Sequence, residues 1–250
     1  MPLEFHLDRR STLSFVCKAC GYCCTGKIIM VGPHEVLGMS CLLGISTSEF
    51  LALYTDNGGT TLRSEADGRC VFVTASGCRV HPQRPLVCRL YPLGRMIDET
   101  GVERFALYPL QSECKAEVDR EGTIEAFLKT QGVEPYLEWS RRYGELYRRM
   151  VGLLDQLCVQ GKFDAAATGA TESADLESAG PEQELDRGPL SLWQDIDASL
   201  AEYCTAQGLA VPGEIDEAIA LHCRAIAEWL DDLESRIGEV RNDPEEMREE

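Results

Sequence analysis

Cys17-Lys18-Ala19-Cys20-Gly21-Tyr22-Cys23-Cys24 places four thiols in eight residues, a density that side-chain packing alone does not demand. Cys17 and Cys20 form a Cys-x-x-Cys knuckle, a spacing that lets two sulfurs reach one ion around a tight turn, and Gly21 supplies the positive φ such turns often need. Cys23 and Cys24 are adjacent, and neighbouring side chains diverge from the backbone. The expectation is that they serve two metal positions, or one metal and one other role, more easily than a single relaxed tetrahedral site. Four later thiols, Cys70, Cys78, Cys88 and Cys114, bring the candidate metal ligands to eight.

Working outward, Cys78 opens a run to Pro92 whose prolines at 82, 85 and 92 remove backbone donors and fix φ, as in a loop that holds side chains rigidly. These residues carry a resemblance. Cys17-x-x-Cys20-Gly21-x-Cys23-Cys24, then Cys70 in a short apolar run, then Cys78 followed by Arg84-Pro85-x-x-Cys88-Arg89-x-Tyr91-Pro92, resemble the YkgJ family of cysteine-cluster proteins, described as zinc- or iron-chelating domains. The resemblance covers roughly residues 13 to 115, with a looser echo in the helical segment that follows. It implies a metal site and no particular reaction. A more distant similarity is to flagellin lysine methylases, which carry a related cysteine cluster; this chain departs from them in the spacing of its first cysteines and in length, and has no recognisable methyl-donor motif.

Composition sets the compartment expected for these thiols. The N-terminal ten residues lack the apolar stretch of a signal peptide, and no run approaches the roughly 20 apolar residues of a membrane span. A cytoplasmic, reduced protein is expected, in which clustered cysteines act as metal ligands or redox groups rather than disulfides. The net charge of -18 is unevenly spread: residues 1–160 hold 18 Lys and Arg against 19 Asp and Glu, residues 161–250 hold 6 against 23. An acidic surface of this kind repels phosphate backbones and anionic headgroups, so neither nucleic acid nor membrane is an expected partner.

The fold class expected is helix-rich α+β: a small irregular metal-stabilised core with short β-hairpin strands, followed by a helical bundle. Residues 1–160 form the cysteine-cluster domain with a trailing long helix, 161–188 an acidic flexible linker, and 189–250 an acidic helical hairpin packed on the 135–160 helix. Locally, 11–16 read as an extended lead-in to the cluster and Lys27 to Val31 as a short strand leaving it. A helix over His34 to Leu43 has Pro33 at its start and Gly44 at its end, and places Cys41 on its apolar side as a small buried hydrophobe. A second helix follows Ser46, capped by Thr47 or Ser48, with Phe50, Leu51 and Leu53 inward. Cys70 to Val73 and Cys78 to Val80 form a hairpin around Thr74 to Gly77, and 102–109 a further strand. From Pro135, apolar residues recur at three and four up to Leu157, and two more helical patterns run from Leu192 to Tyr203 and from Ile215 to Ile237. These apolar faces imply a three-helix bundle, or a surface for a protein partner or self-association. Cys158, Cys204 and Cys223 read as core-side or incidental thiols.

Spacing alone does not separate zinc from an iron-sulfur cluster, since both take four thiolates. Among the histidines, His81 has ligand-like spacing, three residues after Cys78, and reads better as a loop residue. Arg79, Arg84, Arg89 and Arg95 suit the neutralisation of a multi-thiolate site; Arg84 and Arg89, flanking Cys88, are also candidates for holding an anionic cofactor or substrate beside the metal. No nucleophile elbow, phosphate loop or dinucleotide turn is present. The function expected is therefore a metal-binding protein holding zinc or an iron-sulfur cluster through up to eight thiolates, with an iron-sulfur oxidoreductase and a protein lysine methylase as alternatives.

Overall fold

The computed structural model describes residues 3–18, 20–110, 113–159 and 193–241. The expected acidic linker, 161–188, and the side chain of Cys158 lie outside the described residues. In chain order the elements are β1 (Thr12–Val16), a 3-10 turn (Tyr22–Cys24), α1 (Pro33–Leu43), α2 (Thr47–Tyr54), β2 (Thr55–Asp56), β3 (Thr61–Leu62), β4 (Val73–Thr74), β5 (Gly77–Cys78), a 3-10 turn (His81–Gln83), α3 (Leu86–Leu90), β6 (Leu93–Ile97), β7 (Glu103–Leu107), β8 (Glu117–Thr123), α4 (Ile124–Gln131), α5 (Glu134–Val159), α6 (Ile196–Gln207) and α7 (Ile215–Arg241). The fold is helix-rich α+β, with its strands in short antiparallel pairs: β1–β8, β2–β3, β4–β5 and β6–β7. No single described helix is long and apolar enough to cross a membrane.

The chain divides into two compact units, Met1–Ser140 and Arg141–Glu250. The first has two apolar clusters. One joins β1 and α4 through Leu13, Phe15, Phe105, Ile124, Phe127 and Leu128; the other joins α1 and α2 through Val36, Met39, Phe50, Phe72 and Val80, with Cys70 and Cys78 packed against it. Two-stranded ribbons have too little surface to be stable alone, so these clusters and the ribbons stabilise one another. Helix ends are chemically marked: Pro33 occupies the first turn of α1 and Gly44 closes it at φ 71°, while the Ser46 Oγ accepts from the Glu49 N–H at 3.1 Å to start α2.

The second unit packs α6 and α7 with the 141–159 part of α5. Its interior holds Met150, Leu153, Ile196, Leu200, Ile219, Ile226 and Leu230, and the buried Tyr143 hydroxyl lies 2.8 Å from His222 Nδ1. Arg149 reaches Glu234 at 2.6 Å and Asp231 at 2.7 Å across the helices.

Several local expectations change. Lys27 to Val31 forms no strand, only the isolated bridge Met30↔Thr61. The cap of α2 is Ser46 itself, and Leu53 points outward. Cys41 is exposed, because α1 is buried along Pro33 to Ser40 and emerges from the core at its last turn. The proline-rich run contains α3: Pro85 sits just ahead of its first turn, where a missing N–H is not required for helix hydrogen bonding. The strands β6 and β8 and the helix α4 lie where no element was expected.

Candidate metal centre

The first four thiols sit on a turn that begins where β1 ends. Gly21 takes the left-handed conformation, φ 79°, and starts the 3-10 turn in which the Cys24 N–H donates to the Gly21 carbonyl at 3.0 Å. This tight turn overrides the divergence expected of adjacent side chains: the Cys23 and Cys24 sulfurs lie 3.8 Å apart. Two thiolates on one tetrahedral zinc, with Zn–S bonds of about 2.3 Å, are separated by about 3.8 Å. The adjacent pair therefore has the spacing that two ligands on one ion would take.

Each later thiol reaches the turn through a different piece of backbone. The Cys70 N–H donates to the Cys24 carbonyl at 2.9 Å, beside the bridge Thr25↔Arg69. Cys78 lies on β5 opposite Val73 of β4, in a hairpin shorter than expected, with Cys70 just ahead of it. Cys88 is on α3, its N–H bonded to the Pro85 carbonyl at 2.9 Å. Cys114 comes from the segment before β8, which pairs Glu117 with Val16 at the end of β1.

The thiols influence one another electrostatically. Every pair among Cys23, Cys24, Cys78 and Cys88 interacts. Cys70 acts on Cys88 and is acted on by Cys78, and Cys17 acts on Cys78. The hydrogen bond from the Cys24 thiol, helped by Lys27, lowers the Cys23 pKa to about 7, while the same bond and burial push Cys24 far up. Burial, then the charges of Cys70 and Cys78, raise Cys88 strongly. The Lys115 N–H, and after it the Tyr22 N–H and the Cys114 thiol, lower the Cys20 pKa against burial, and the charge of Cys23 acts on both Cys20 and Cys114. Within the Cys-x-x-Cys pair, Cys17 acts on Cys78, and Cys20 meets Cys114 and Cys23.

Soft thiols this close, with thiolates destabilised by burial and by one another, form a donor set that suits a thiophilic cation. Among the described residues, no group of three or more His, Cys, Asp or Glu side chains is drawn up as a ready coordination shell.

The two arginines have different employments. Half-buried Arg84 donates to the His81 carbonyl at 2.7 Å and to Gln131 Oε1 at 2.6 Å, and its charge acts on Cys17, Cys78 and Cys88. Arg89 is 7% exposed and donates to the carbonyls of Arg84, Gln131 and Pro82 and to the Tyr136 hydroxyl, with its guanidinium 4.0 Å above the Tyr136 ring. It ties the loop before Cys88 to the end of α4 and the start of α5. His81 lies beside Arg84, 3.3 Å from its guanidinium, in the 3-10 turn.

Two residues near the thiols carry signals that sequence reading did not weigh. Glu35, 5% exposed, accepts from the Gly32 N–H at 2.7 Å and, through its other oxygen, from the Leu86 N–H at 2.6 Å. One carboxylate thereby caps α1 and α3 together and fixes the helix that carries Cys88. The capping half was legible, as an acid in the first turn after Gly32 and Pro33. Tyr91, in the Tyr91-Pro92 end of the motif, has its pKa pushed up to about 12 by burial and then by the charges of Cys23, Cys114, Cys20 and Cys24.

Burial raises the Glu35 pKa from 4.5 to about 6, against the opposing pull of its two N–H donors and Arg89. The folded state then holds its proton more tightly than the unfolded chain, so this residue's contribution is fully present below pH 4.5 and is lost as pH rises through about 6. The loss is about 2 kcal/mol. Denaturant unfolding of wild type and Glu35→Gln across this window is expected to show the wild-type stability falling relative to the variant; parallel curves would contradict it.

Cys204 is buried in the second unit with its thiol 3.8 Å from the Ala210 carbonyl, and Cys223 is half-buried beside Tyr143. No curated protein and no solved structure matches the chain. Residues 16–115 match the family profile described as "CxxCxxCC: Putative zinc- or iron-chelating domain". That segment contains Cys17 through Cys114, and over it the chain is similar to the CxxCxxCC cysteine-cluster family.

Proposed function

We propose that residues 16–115 bind zinc or iron in a centre whose ligands are Cys23, Cys24, Cys78 and Cys88, the iron being held either directly or as an iron-sulfur cluster. The observation that carries this reading is the Cys23–Cys24 pair, whose sulfurs lie 3.8 Å apart; the mutual electrostatic influence of Cys23, Cys24, Cys78 and Cys88, which come from three separate segments of the chain, supports it. Cys17 and Cys70 flank the centre, Arg84 offsets the charge of its thiolates, and Cys20 with Cys114 forms a second position. Bound metal supplies a positive charge to which four thiolates can be held without mutual repulsion, and with it folding free energy. The chain's own part is to bring the sulfurs together: Gly21 turns the first pair, Glu35 and Arg89 fix α3, and β5 presents Cys78.

An oxidoreductase or a lysine methylase would in addition need a substrate site beside the centre. The cations considered for one, Arg84 and Arg89, are engaged with His81, Gln131, Tyr136 and backbone carbonyls, which favours the plain metal-binding reading.

The deciding experiment is elemental analysis of protein purified without oxygen, together with acid-labile sulfide and the visible spectrum. Iron with sulfide and a broad visible absorption would identify a cluster, and zinc with neither a four-thiolate zinc site. Folded, metal-free protein would refute the proposal.

A further inference from the structure

The helix that carries Cys88, α3, is only 5 residues long, too short to hold its shape by itself. Pro85 stands at its N-cap and offers no side-chain hydrogen bond, so the first N–H of the helix must be satisfied from elsewhere. Glu35 does so from α1, 51 residues away: its Oε1 accepts from the Leu86 N–H at 2.6 Å while its Oε2 accepts from the Gly32 N–H at 2.7 Å. A second contact joins the same two pieces. Gly38 lies one turn after Glu35 on the same face of α1, and a Cβ there would come within 3.1 Å of Gln83 Oε1. Glycine inside a helix is unfavourable, so its presence is explained by this close approach to the loop ahead of α3. Gln83 Oε1 in turn accepts from the Tyr136 hydroxyl, whose oxygen accepts from Arg89, the neighbour of Cys88, both at 2.7 Å. Because α1 is buried from Pro33 to Ser40, what it holds is anchored to the core.

We infer that Glu35 is the positioning residue that sets how slowly the proposed centre releases its metal, by clamping α3 to α1 and so keeping Cys88 in place. The inference rests on the proposed centre for what is held, and on the two Glu35 hydrogen bonds for the clamp. A metal ion leaves a four-thiolate site stepwise, and the departure of one sulfur opens the ion to a competing ligand. Cys23 and Cys24 share one turn and Cys78 lies on a hairpin, whereas Cys88 depends on a short helix whose first N–H is closed by a carboxylate from another element. Without that carboxylate the Leu86 N–H loses its acceptor, the start of α3 loosens, and Cys88 is the sulfur that departs first.

The test loads the full-length protein with cobalt(II), whose thiolate-to-metal absorption reports binding through sulfur, and follows the rate at which a chelator removes it at neutral pH. Glu35→Asp keeps a carboxylate in the first turn of α1 but draws it back from Leu86 by one methylene; Glu35→Gln turns an amide N–H toward one of the two backbone donors. Both are expected to release cobalt roughly tenfold faster than wild type, or more. Ser46→Ala is the control: it removes the cap of α2 in the same unit, and should lower the urea midpoint of the metal-free protein while leaving the release rate at the wild-type value. Release at the wild-type rate from both Glu35 variants, or an acceleration by Ser46→Ala equal to theirs, would overturn the inference alone. Wild-type protein that takes up no cobalt through thiolates would refute the proposed centre, and the clamp's role with it.

Discussion

Cys24→Ser and Cys88→Ser are each expected to abolish binding at the metal centre and to destabilise residues 16–115 in the same step. Removing one of four thiolates leaves the other three buried or half-buried with an ion they hold poorly. Structural zinc sites supply roughly 10–16 kcal/mol of apparent binding free energy in small domains, so losing even part of it should lower the unfolding free energy of the first unit by about several kcal/mol. Because the Cys23 and Cys24 sulfurs share one 3.8 Å edge, Cys23→Ser and Cys24→Ser should lose the same equivalent of metal. Cys204→Ser is the contrast: its new hydroxyl inherits the Ala210 carbonyl, metal content stays at the wild-type value, and the cost is on the order of 1 kcal/mol. Metal per chain and urea unfolding measured on one preparation check all four variants. Full metal content in either Cys23→Ser or Cys24→Ser would rule out the shared centre.

Arg89→Ala is expected to destabilise the first unit by about 3–5 kcal/mol whether or not metal is bound. The substitution strands the carbonyls of Pro82, Arg84 and Gln131, removes the donor to the Tyr136 hydroxyl and the cation above its ring, and takes away a positive charge that favours ionised Glu35. Arg89→Lys should recover little, since a single ammonium cannot reproduce a planar fork that reaches four acceptors and stacks on a ring. Equilibrium unfolding of the metal-stripped variant against metal-stripped wild type separates this role from anion binding. Equal midpoints would mean that Arg89 is free to serve a ligand.

What could be read without the structure was local. Gly21 needed a positive φ and has one; Pro33 and Gly44 bracket α1; and the three-four spacing from Ile215 to Ile237 became α7 with Ile219, Ile226 and Ile237 inside. Each of these follows from a residue's own backbone preferences or from the period of a helix, so neighbours in sequence suffice. The identity of the candidate ligands was legible for a similar reason, because eight thiols with this spacing are a statement about chemistry.

Which thiol stands beside which was decided by tertiary structure. Cys17 and Cys20 are three residues apart and read as one knuckle, yet Cys17 acts on Cys78 while Cys20 meets Cys114, because β5 carries the one and the segment before β8 the other. Strand β8, with its charged residues Glu117, Asp119, Arg120 and Glu121, has no apolar alternation to announce it and exists through its pairing with β1. The second half of Glu35's role depends on Leu86, 51 residues away. Residue chemistry thus determined that a thiolate site would be built; long-range backbone pairing determined its grouping, since only the folded chain brings Leu86 to Glu35 and Cys114 to Cys20.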